Sequence, residues 1–177
     1  QSVQNTLPML NNDIDRIAIH DAARPAVSNE LFDRILLAAR ELQAVAAAMP
    51  ISGTVKRTKQ VKKTIGDDDD IAASVFGDVG RANVDAFPVE QTIDRERLWE
   101  LQTPQIFEPL LLRRAYQQQD ILQCTDDAQV IEKLGEPVHL IHGDSRNIKV
   151  TTTSEYNVIK SILGVKGERE RPAHKRF

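Results

Sequence analysis

Six polar residues in this chain stand where strands are expected to end or helices to begin. They are three cations, two hydroxyls and one carboxylate: Asp21, Arg24, Thr54, Arg95, Thr125 and Lys149. Arginine binds phosphate through two parallel hydrogen bonds, and lysine provides a compact positive charge. A hydroxyl at the start of a helix adds a donor to the same anion. The set predicts a site for an anionic ligand together with a divalent metal ion.

Other chemistries lack their residues. The sequence has no serine-hydrolase elbow, no zincin motif and no Walker loop. His20 follows a strand directly, so we interpret it as a packed or hydrogen-bonded histidine and not as a base. Cys124 is the single cysteine, which leaves no internal disulfide and no zinc cluster.

The stretch from Arg16 to Pro25 organises the prediction. Ile17–Ile19 is typical of the end of a buried strand, and Pro25 cannot continue a strand ladder. Asp21 and Arg24 are then expected just past the carboxyl edge of a sheet, where open α/β folds bind their ligands. The simpler alternative is a local Asp21–Arg24 pair that closes the strand, and this stretch alone favours it.

The segments that follow predict an α/β fold. Ser28 or Asn29 can cap a helix, and Ala44–Met49 is a short apolar run that predicts a second strand. A strand, a helix and a strand in this order predict a right-handed parallel crossover. The helical face expected to cover the sheet consists of Phe32, Ile35, Leu36 and Ala39. We therefore expect a mostly parallel sheet with helices on both faces.

Residues 50–95 differ from the rest of the chain. They are polar, with a basic run at 56–63 followed by the acidic run Asp67–Asp70. The alternation around residues 54–65 and 84–89 predicts two strands of a protruding β-arm, and a solvated loop is the alternative. We assign residues 1–165 to one catalytic domain that includes this arm, and residues 166–177 to a charged tail.

Local signals place the later elements. Pro109 suits the first turn of a helix, and Thr125 is expected to cap the next one. Val138–Ile141 predicts a strand. Thr152 and Glu155 have the spacing of a capping box that begins a last helix.

Composition limits the function classes. The chain has 177 residues, 41% of them hydrophobic, which is enough for a full core. A net charge of −3 argues against a broad nucleic-acid surface. No apolar run approaches membrane-spanning length, so no membrane partner is expected. The single cysteine favours the reducing cytoplasm.

Several short motifs occur in one order along the chain. They are His20–Pro25, Thr92–Arg95, Leu98-Trp99, Gln102–Phe107, Thr125–Ala128, Gly143-Asp144 and Asn147–Thr151. In this combination the chain, from Ser2 to about Leu163, closely resembles the 2-C-methyl-D-erythritol 4-phosphate cytidylyltransferases of the non-mevalonate isoprenoid pathway.

The resemblance implies a Rossmann-like nucleotidyltransferase fold and a magnesium-dependent reaction of CTP with methylerythritol phosphate. It implies a homodimer joined through the 50–95 arm, located in the bacterial cytoplasm, or in the plastid of a plant or alga. By resemblance, Lys149, Asp21 and Arg95 are catalytic, and Asp21 also holds the metal. The substrate-binding residues are then Arg24, Thr54, Arg95, Thr125 and Lys149, with Thr54 and Arg95 acting across the dimer. Ser2, Asp21 and Ala22 match positions around the cytidine.

The chain departs from the family pattern in three places. Gly53 occupies a position where the family usually carries an acidic residue, and the arm between Arg57 and Thr92 looks longer than usual. The Gly-rich loop that cradles the triphosphate in the family belongs before residue 1. The expectation is that this amino-terminal portion is absent from the sequence, or that the chain is an incomplete enzyme.

Two alternatives stay open at this stage. One is a cytidylyltransferase for another polyol phosphate, such as ribitol 5-phosphate, although Asp94-Arg95, Trp99 and Thr125–Ala128 favour methylerythritol phosphate. The other is a non-catalytic dimerising fragment, which would dimerise without binding CTP.

Overall fold

The computed structural model of the protein describes residues 2–11, 13–65 and 84–165. The predicted acidic run Asp67–Asp70 and the charged tail 166–177 lie outside the described residues. The helices are α1 (Ser2–Thr6), α2 (Asn29–Glu41), α3 (Pro109–Ala115), α4 (Asp127–Lys133) and α5 (Thr153–Ile162), with 3₁₀ turns at Leu7–Met9 and Ile121–Gln123. The strands are β1 (Ile17–Ile19), β2 (Ala44–Pro50), β3 (Val55–Thr58), β4 (Lys63–Ile65), β5 (Val84–Ala86), β6 (Val89–Ile93), β7 (Trp99–Phe107) and β8 (His139–His142).

The first of two structural units comprises residues 1–49 and 99–177 and contains a four-stranded sheet in the order β1-β7-β2-β8. β1 pairs antiparallel with β7, and β2 pairs parallel with β8. β7 also runs against β2, because Glu108 N donates to Gln43 O at one end and Ile51 N to Leu98 O at the other. Three of the described strands therefore share one direction, and β7 makes the sheet mixed.

Helices cover both faces of this sheet. On one face, α2 packs Leu31, Ile35 and Ala39 against alternate residues of β2 and against Ile106. On the other face, α3 and α4 form a second core around Phe107. Successive side chains of a strand point to opposite faces, so neighbours such as Ile106 and Phe107 serve different cores. The helices-on-both-faces expectation is confirmed.

The buried face of α2 differs by a small rotation from the predicted one. Ile35 and Ala39 are buried as expected, but Leu31 is the third buried residue and Leu36 is 37% exposed. The observed stripe, residues 31, 35 and 39, has a spacing of four residues throughout. Residues 32, 36 and 39 of the predicted stripe have spacings of four and three, which also place side chains on one helical face. The apolar pattern is broad, and packing against the sheet selects one of the two stripes.

Helix caps follow the sequence closely, with one correction. The Ser28 hydroxyl caps α2 by accepting from Leu31 N at 3.2 Å, and Thr152 with Glu155 forms a capping box at α5. Thr125 does not cap α4. Asp126 does, because its carboxylate accepts from Gln129 N at 2.7 Å. Both residues are good caps, so the sequence alone left the boundary one residue uncertain.

The second unit comprises residues 50–98. β3 pairs antiparallel with β6, with Val55 opposite Ile93. β4 pairs antiparallel with β5, with Lys63 opposite Ala86. The predicted pairing of two stretches across this segment is confirmed. Val84, Phe87 and Val89 are each more than half exposed in this unit.

None of the helices in the described residues has the length and apolar character needed to span a membrane.

Candidate active site

Two cations converge on one carboxylate beyond the end of β1. Lys149 Nζ lies 3.0 Å from Asp21 Oδ2, and Arg24 Nε lies 3.4 Å from the same oxygen. The local Asp21–Arg24 pair suggested by the sequence is therefore present, and a lysine from 128 residues further along the chain joins it. Asp21 and Lys149 are partly exposed, with side-chain exposures of 34% and 48%.

Arg24 is the buried member of this cluster, with 8% of its surface exposed. Its Nη1 donates to Asn147 O at 2.8 Å and its Nη2 to Leu101 O at 3.4 Å. A guanidinium has five N–H donors and must use them when it is buried. Arg24 therefore joins β7 and the segment before Lys149 to the turn after β1.

Thr103 on β7 fixes the backbone of Asp21. The hydroxyl oxygen of Thr103 accepts from Asp21 N at 2.9 Å and lies 3.0 Å from His20 Nδ1. His20 Nε2 lies 3.1 Å from Arg24 O, and a carbonyl oxygen can only accept, so Nε2 carries the proton. The prediction that His20 is a hydrogen-bonded histidine is confirmed.

Gln102 and Asn147 connect β7 to the segment that carries Lys149. Gln102 Nε2 donates to Asp144 O at 3.0 Å, and Gln102 Oε1 accepts from Asp144 N at 3.3 Å. The fully buried Asn147 donates from Nδ2 to Thr103 O at 2.7 Å and to Gln102 Oε1 at 3.3 Å. At Gly143 a Cβ would overlap Gln102 Oε1 and lie 3.3 Å from Ala48 O, so glycine permits this close approach.

Gln105, also on β7, positions the start of α4. Its Oε1 accepts from Ala128 N at 3.0 Å, and the side chain is almost fully buried. Thr125, just before α4, donates from its backbone N to Gln129 Oε1 at 2.6 Å, and its hydroxyl lies 3.2 Å from the same oxygen. One strand thus holds both the Thr125 turn and the Lys149 segment.

These residues enclose an open pocket of about 210 Å³ in the first unit. Four predicted site residues line it together: Asp21, Arg24, Thr125 and Lys149. Gln102, Thr103 and Gln105 of β7 also line it. The lining includes two cations, two threonine hydroxyls and three carboxylates, those of Asp21, Asp126 and Asp127. The cations and hydroxyls are the groups expected to bind a phosphate-bearing ligand.

The other predicted residues lie elsewhere. Ser2 lines a separate pocket beside Tyr116 and the 124–127 turn, while Ala22 lines an apolar pocket with Tyr156 and Ile159. The three predicted nucleotide contacts, Ser2, Asp21 and Ala22, thus line three different pockets. Thr54 and Arg95 belong to the second unit, where both are exposed.

Charge and burial set the acidities in the first unit. Burial raises the pKa of Asp21, but the hydrogen bond and charge of Lys149, followed by those of Arg24, outweigh it and hold this pKa below the usual 3.8. Burial raises the pKa of Asp127, and the charge of Asp126 adds to this, while the hydrogen bond from Tyr116 opposes both. Asp21 is therefore the carboxylate held ionised beside the two cations.

Three carboxylates line this pocket, those of Asp21, Asp126 and Asp127. Asp126 caps α4 and Asp127 accepts from the Tyr116 hydroxyl, so Asp21 is the carboxylate beside the two cations that would hold a metal. Within the described residues, no group of three or more His, Cys, Asp or Glu side chains is placed to hold a metal ion. Both cationic partners of Asp21 contact Oδ2, so Oδ1 is the oxygen that can face a metal. Mg²⁺ is commonly held by one or two carboxylates together with water and phosphate oxygens, so the donor set fits Mg²⁺ bound jointly with a phosphate ligand.

Sequence reasoning missed the role of β7. Gln102–Gln105 was identified only as part of a resemblance, although three of its polar side chains are buried and hydrogen-bonded to separate segments. The available signal was three polar residues around Pro104 directly before the apolar pair Ile106-Phe107. Asn147 was likewise quoted as part of a motif without a role.

Comparison with known proteins identifies the family of this chain. The family model of 2-C-methyl-D-erythritol 4-phosphate cytidylyltransferase (IspD) matches residues 1–75 and 69–165. The chain is 34% identical over 166 residues to the enzyme of that name from Bacillus pumilus, covering 92% of this chain and 61% of the relative. It is 32% identical over 169 residues to the one from Alkaliphilus oremlandii, covering 94% and 61%. It spans about three fifths of the length of these relatives.

The fold agrees with the same family. The crystal structure of the cytidylyltransferase from Thermus thermophilus superposes with a TM-score of 0.70 at 27% identity, covering 93% of this chain and 68% of that one. This likeness confirms the predicted nucleotidyltransferase α/β fold with helices on both faces. The sheet, which was predicted to be mostly parallel, is mixed because β1 pairs antiparallel with β7. On its sequence, its fold and the family model, the chain belongs to the 2-C-methyl-D-erythritol 4-phosphate cytidylyltransferase family.

Proposed function

We propose that this protein transfers the cytidylyl group of CTP to 2-C-methyl-D-erythritol 4-phosphate. A phosphate oxygen of the substrate attacks the α-phosphorus of CTP in line, the bond to the β-phosphate oxygen breaks, and pyrophosphate leaves. The observation that carries the proposal is the placement of Lys149 and Arg24 around Asp21 in a pocket that Thr125 also lines. The identity of the two substrates is inferred from family membership.

Lys149 is proposed to neutralise charge on the reacting phosphates. Its side chain is half exposed, while Arg24 is buried and occupied by protein acceptors. Lys149 is therefore the cation that can turn towards a ligand, whereas Arg24 keeps the pocket wall in place. Phosphoryl transfer depends mainly on positioning and charge neutralisation, which such a pocket can provide without a nucleophilic side chain.

Asp21 is proposed to hold the metal ion through Oδ1. A bound Mg²⁺ polarises phosphoryl oxygens and neutralises their charge during the transfer. The Asp21 backbone is fixed by the bond to Thr103 and its carboxylate by Arg24. The chain thus provides a preorganised ligand that needs no rearrangement when the phosphates arrive.

The second unit is proposed to complete the site of a second copy. Thr54 and Arg95 are exposed polar residues of this unit, and Val84, Phe87 and Val89 expose apolar surface there. A twofold-related copy could cover such surface, which supports a homodimer. A Cβ at Gly53, next to Thr54, would meet nothing within 4 Å, so packing within this chain does not require glycine at this position.

Ser2 and Ala22 are proposed to contact the cytidine, with Asp21 between them and the phosphates. The proposal rests on resemblance, and it requires a ligand that spans neighbouring pockets. We place the protein in the cytoplasm of a bacterium, or in the plastid if the source is a plant or alga.

The test is pyrophosphate release from CTP and Mg²⁺ with methylerythritol phosphate or ribitol 5-phosphate as acceptor. Methylerythritol phosphate should react much faster, and the reverse preference would transfer the assignment to the other polyol. CTP binding by calorimetry is measured in parallel. Dimerisation without CTP binding and without pyrophosphate release would identify a non-catalytic fragment.

A further inference from the structure

We infer that Asn147 is a positioning residue for Lys149, acting through the segment that carries it. The expected effect on kcat rests on the proposed function, whereas the placement of Lys149 is argued from the hydrogen bonds of Asn147 alone. Asn147 is fully buried and lies two residues before Lys149. Asn147 is not among the residues that line the pocket, whereas Lys149 is, so we expect the effect of Asn147 to pass through the backbone.

Asn147 is attached on three sides. Its Nδ2 donates to Thr103 O at 2.7 Å and to Gln102 Oε1 at 3.3 Å. Its backbone O accepts from Arg24 Nη1 at 2.8 Å, and its backbone N donates to Asp144 O at 3.0 Å. Side chain and main chain together therefore fix this residue against β7 and against the turn that carries Asp21.

Lys149 lies between two such anchors. On its far side Val150 N donates to Ala23 O at 2.8 Å. With residues 147 and 150 both fixed, the backbone of Lys149 has little freedom, and its ammonium is directed to Asp21 Oδ2 at 3.0 Å. A lysine side chain is long and flexible, so a defined position depends on a defined backbone.

The unpaired atom of the Asn147 amide supports this role. Among the described residues, Asn147 Oδ1 has no hydrogen-bond partner. The amide cannot be turned over, because Oδ1 would then face the carbonyl oxygen of Thr103. A buried amide with one atom unsatisfied costs stability, and the bonds from Nδ2 to Thr103 O and Gln102 Oε1 offset that cost. The donor bonds to β7 give a reason for asparagine at this position.

The inference predicts a dependence between two substitutions. Asn147→Ala should lower kcat by about tenfold or more and change KM less, because Lys149 is misplaced where charge develops. In a Lys149→Met background the same Asn147→Ala substitution should change kcat by less than about twofold. Equal losses in both backgrounds would overturn the inference, since Asn147 would then act independently of Lys149.

Two controls keep the kinetic result interpretable. Asn157→Ala removes an exposed asparagine of α5 and should leave kcat unchanged. If Asn147→Ala does not fold, as judged by circular dichroism, the cycle is repeated with Asn147→Ser, which has similar polarity and a shorter reach. The same dependence on Lys149 is expected, and its absence again overturns the inference.

A measurement without substrate separates this inference from the proposed function. Reductive methylation of Lys149 is compared by mass spectrometry with that of Lys56, an exposed lysine in the second unit. An ammonium held against a carboxylate is less accessible to the reagent than one released into solvent. Substitution of Asn147 should raise the Lys149-to-Lys56 ratio severalfold, and Asn157→Ala should not. An unchanged ratio in the Asn147 variants overturns the inference. A raised ratio in a protein that releases no pyrophosphate refutes only the proposed function.

Discussion

The ammonium nitrogen of Lys149 lies 3.0 Å from Asp21 Oδ2, and both side chains are partly exposed to solvent. Ion pairs this exposed contribute about 1 kcal/mol or less to stability, because water competes for both charges. Lys149 can therefore exchange Asp21 for a phosphate at little energetic cost. The ion pair keeps the Lys149 ammonium next to the expected reaction centre but binds it weakly enough for it to move to a ligand.

Replacement of this lysine tests its role in the reaction. Lys149→Met should lower kcat on the order of a hundredfold and raise KM much less, because the lost charge acts mainly on the transition state. The measurement is steady-state pyrophosphate release. Lys133→Met is the control, since Lys133 donates to Gln119 O and Asp120 O, and neither residue lines the pocket. Near-normal turnover of Lys149→Met would remove this residue from the mechanism.

Complementation tests whether the second unit works in the partner subunit. Arg95→Ala and Lys149→Met, each expected to have strongly reduced activity alone, are mixed under conditions that allow subunit exchange. If Arg95 acts across the dimer, one site of a mixed dimer holds both defects and the other is intact, so activity should partly return. Mixed dimers demonstrated by mass spectrometry with no recovered activity would place Arg95 in the site of its own subunit.

The Thr125 turn separates ligand binding from helix capping. Thr125→Val should weaken substrate binding but change the free energy of unfolding by less than about 0.5 kcal/mol, because its hydroxyl contacts only exposed Gln129. Asp126→Ala removes the cap of α4 and should cost about 1 kcal/mol. Urea unfolding and substrate titration measure the two quantities. A larger stability loss for Thr125→Val than for Asp126→Ala would contradict the assignment of the cap.

The close approach at Gly143 makes a matched pair of alanine substitutions informative. Gly143→Ala forces Gln102 or the backbone near Ala48 to move and should destabilise the protein by about 1–3 kcal/mol. Gly53→Ala meets no atom within 4 Å and should change stability by less than about 0.5 kcal/mol. Equal unfolding midpoints for both variants would show that the Gly143 contact is easily relieved.

Local signals were sufficient for much of this fold. The end of β1 before Pro25, the Ser28 cap and the Thr152–Glu155 box each depend on a few adjacent residues, and each was predicted. The α2 stripe and the α4 cap were each misplaced slightly because two neighbouring residues satisfy the same local rule. Which of them is used depends on packing against distant segments.

The site shows the same division. Six residues were predicted as a set, and the structure brings four of them into one pocket: Asp21, Arg24, Thr125 and Lys149. Thr54 and Arg95 lie in the second unit. The side chains that hold the four pocket residues in place were not predicted, because Thr103 and Asn147 bind residues far away in the sequence. No periodicity or local motif reports such pairings.

The capping box of α5 predicts a pH dependence. Glu155 accepts from the backbone N and hydroxyl of Thr151 and of Thr152, and these bonds lower its pKa to about 2. Because the folded pKa lies below the unfolded value of 4.5, the stabilisation is complete above pH 4.5 and is lost as the pH falls towards 2. The urea midpoints of the unsubstituted protein and of Glu155→Gln should therefore differ more at about pH 6, where Glu155 is charged, than at about pH 3, where part of the stabilisation is lost. A difference independent of pH would contradict the charged capping box.

The site can form only after β7 has folded against segments that are distant in the sequence. The contacts of β7 to Asp21, Asp144 and Ala128 join residues separated by 82, 42 and 23 positions. Each such contact requires closure of a long loop, whose entropic cost is recovered only when the intervening chain is also folded. During synthesis, Asp21 and Arg24 emerge long before the strand that orients them. An isolated peptide that contains only one of these motifs should therefore not hold its side chains in the arrangement seen in the folded protein.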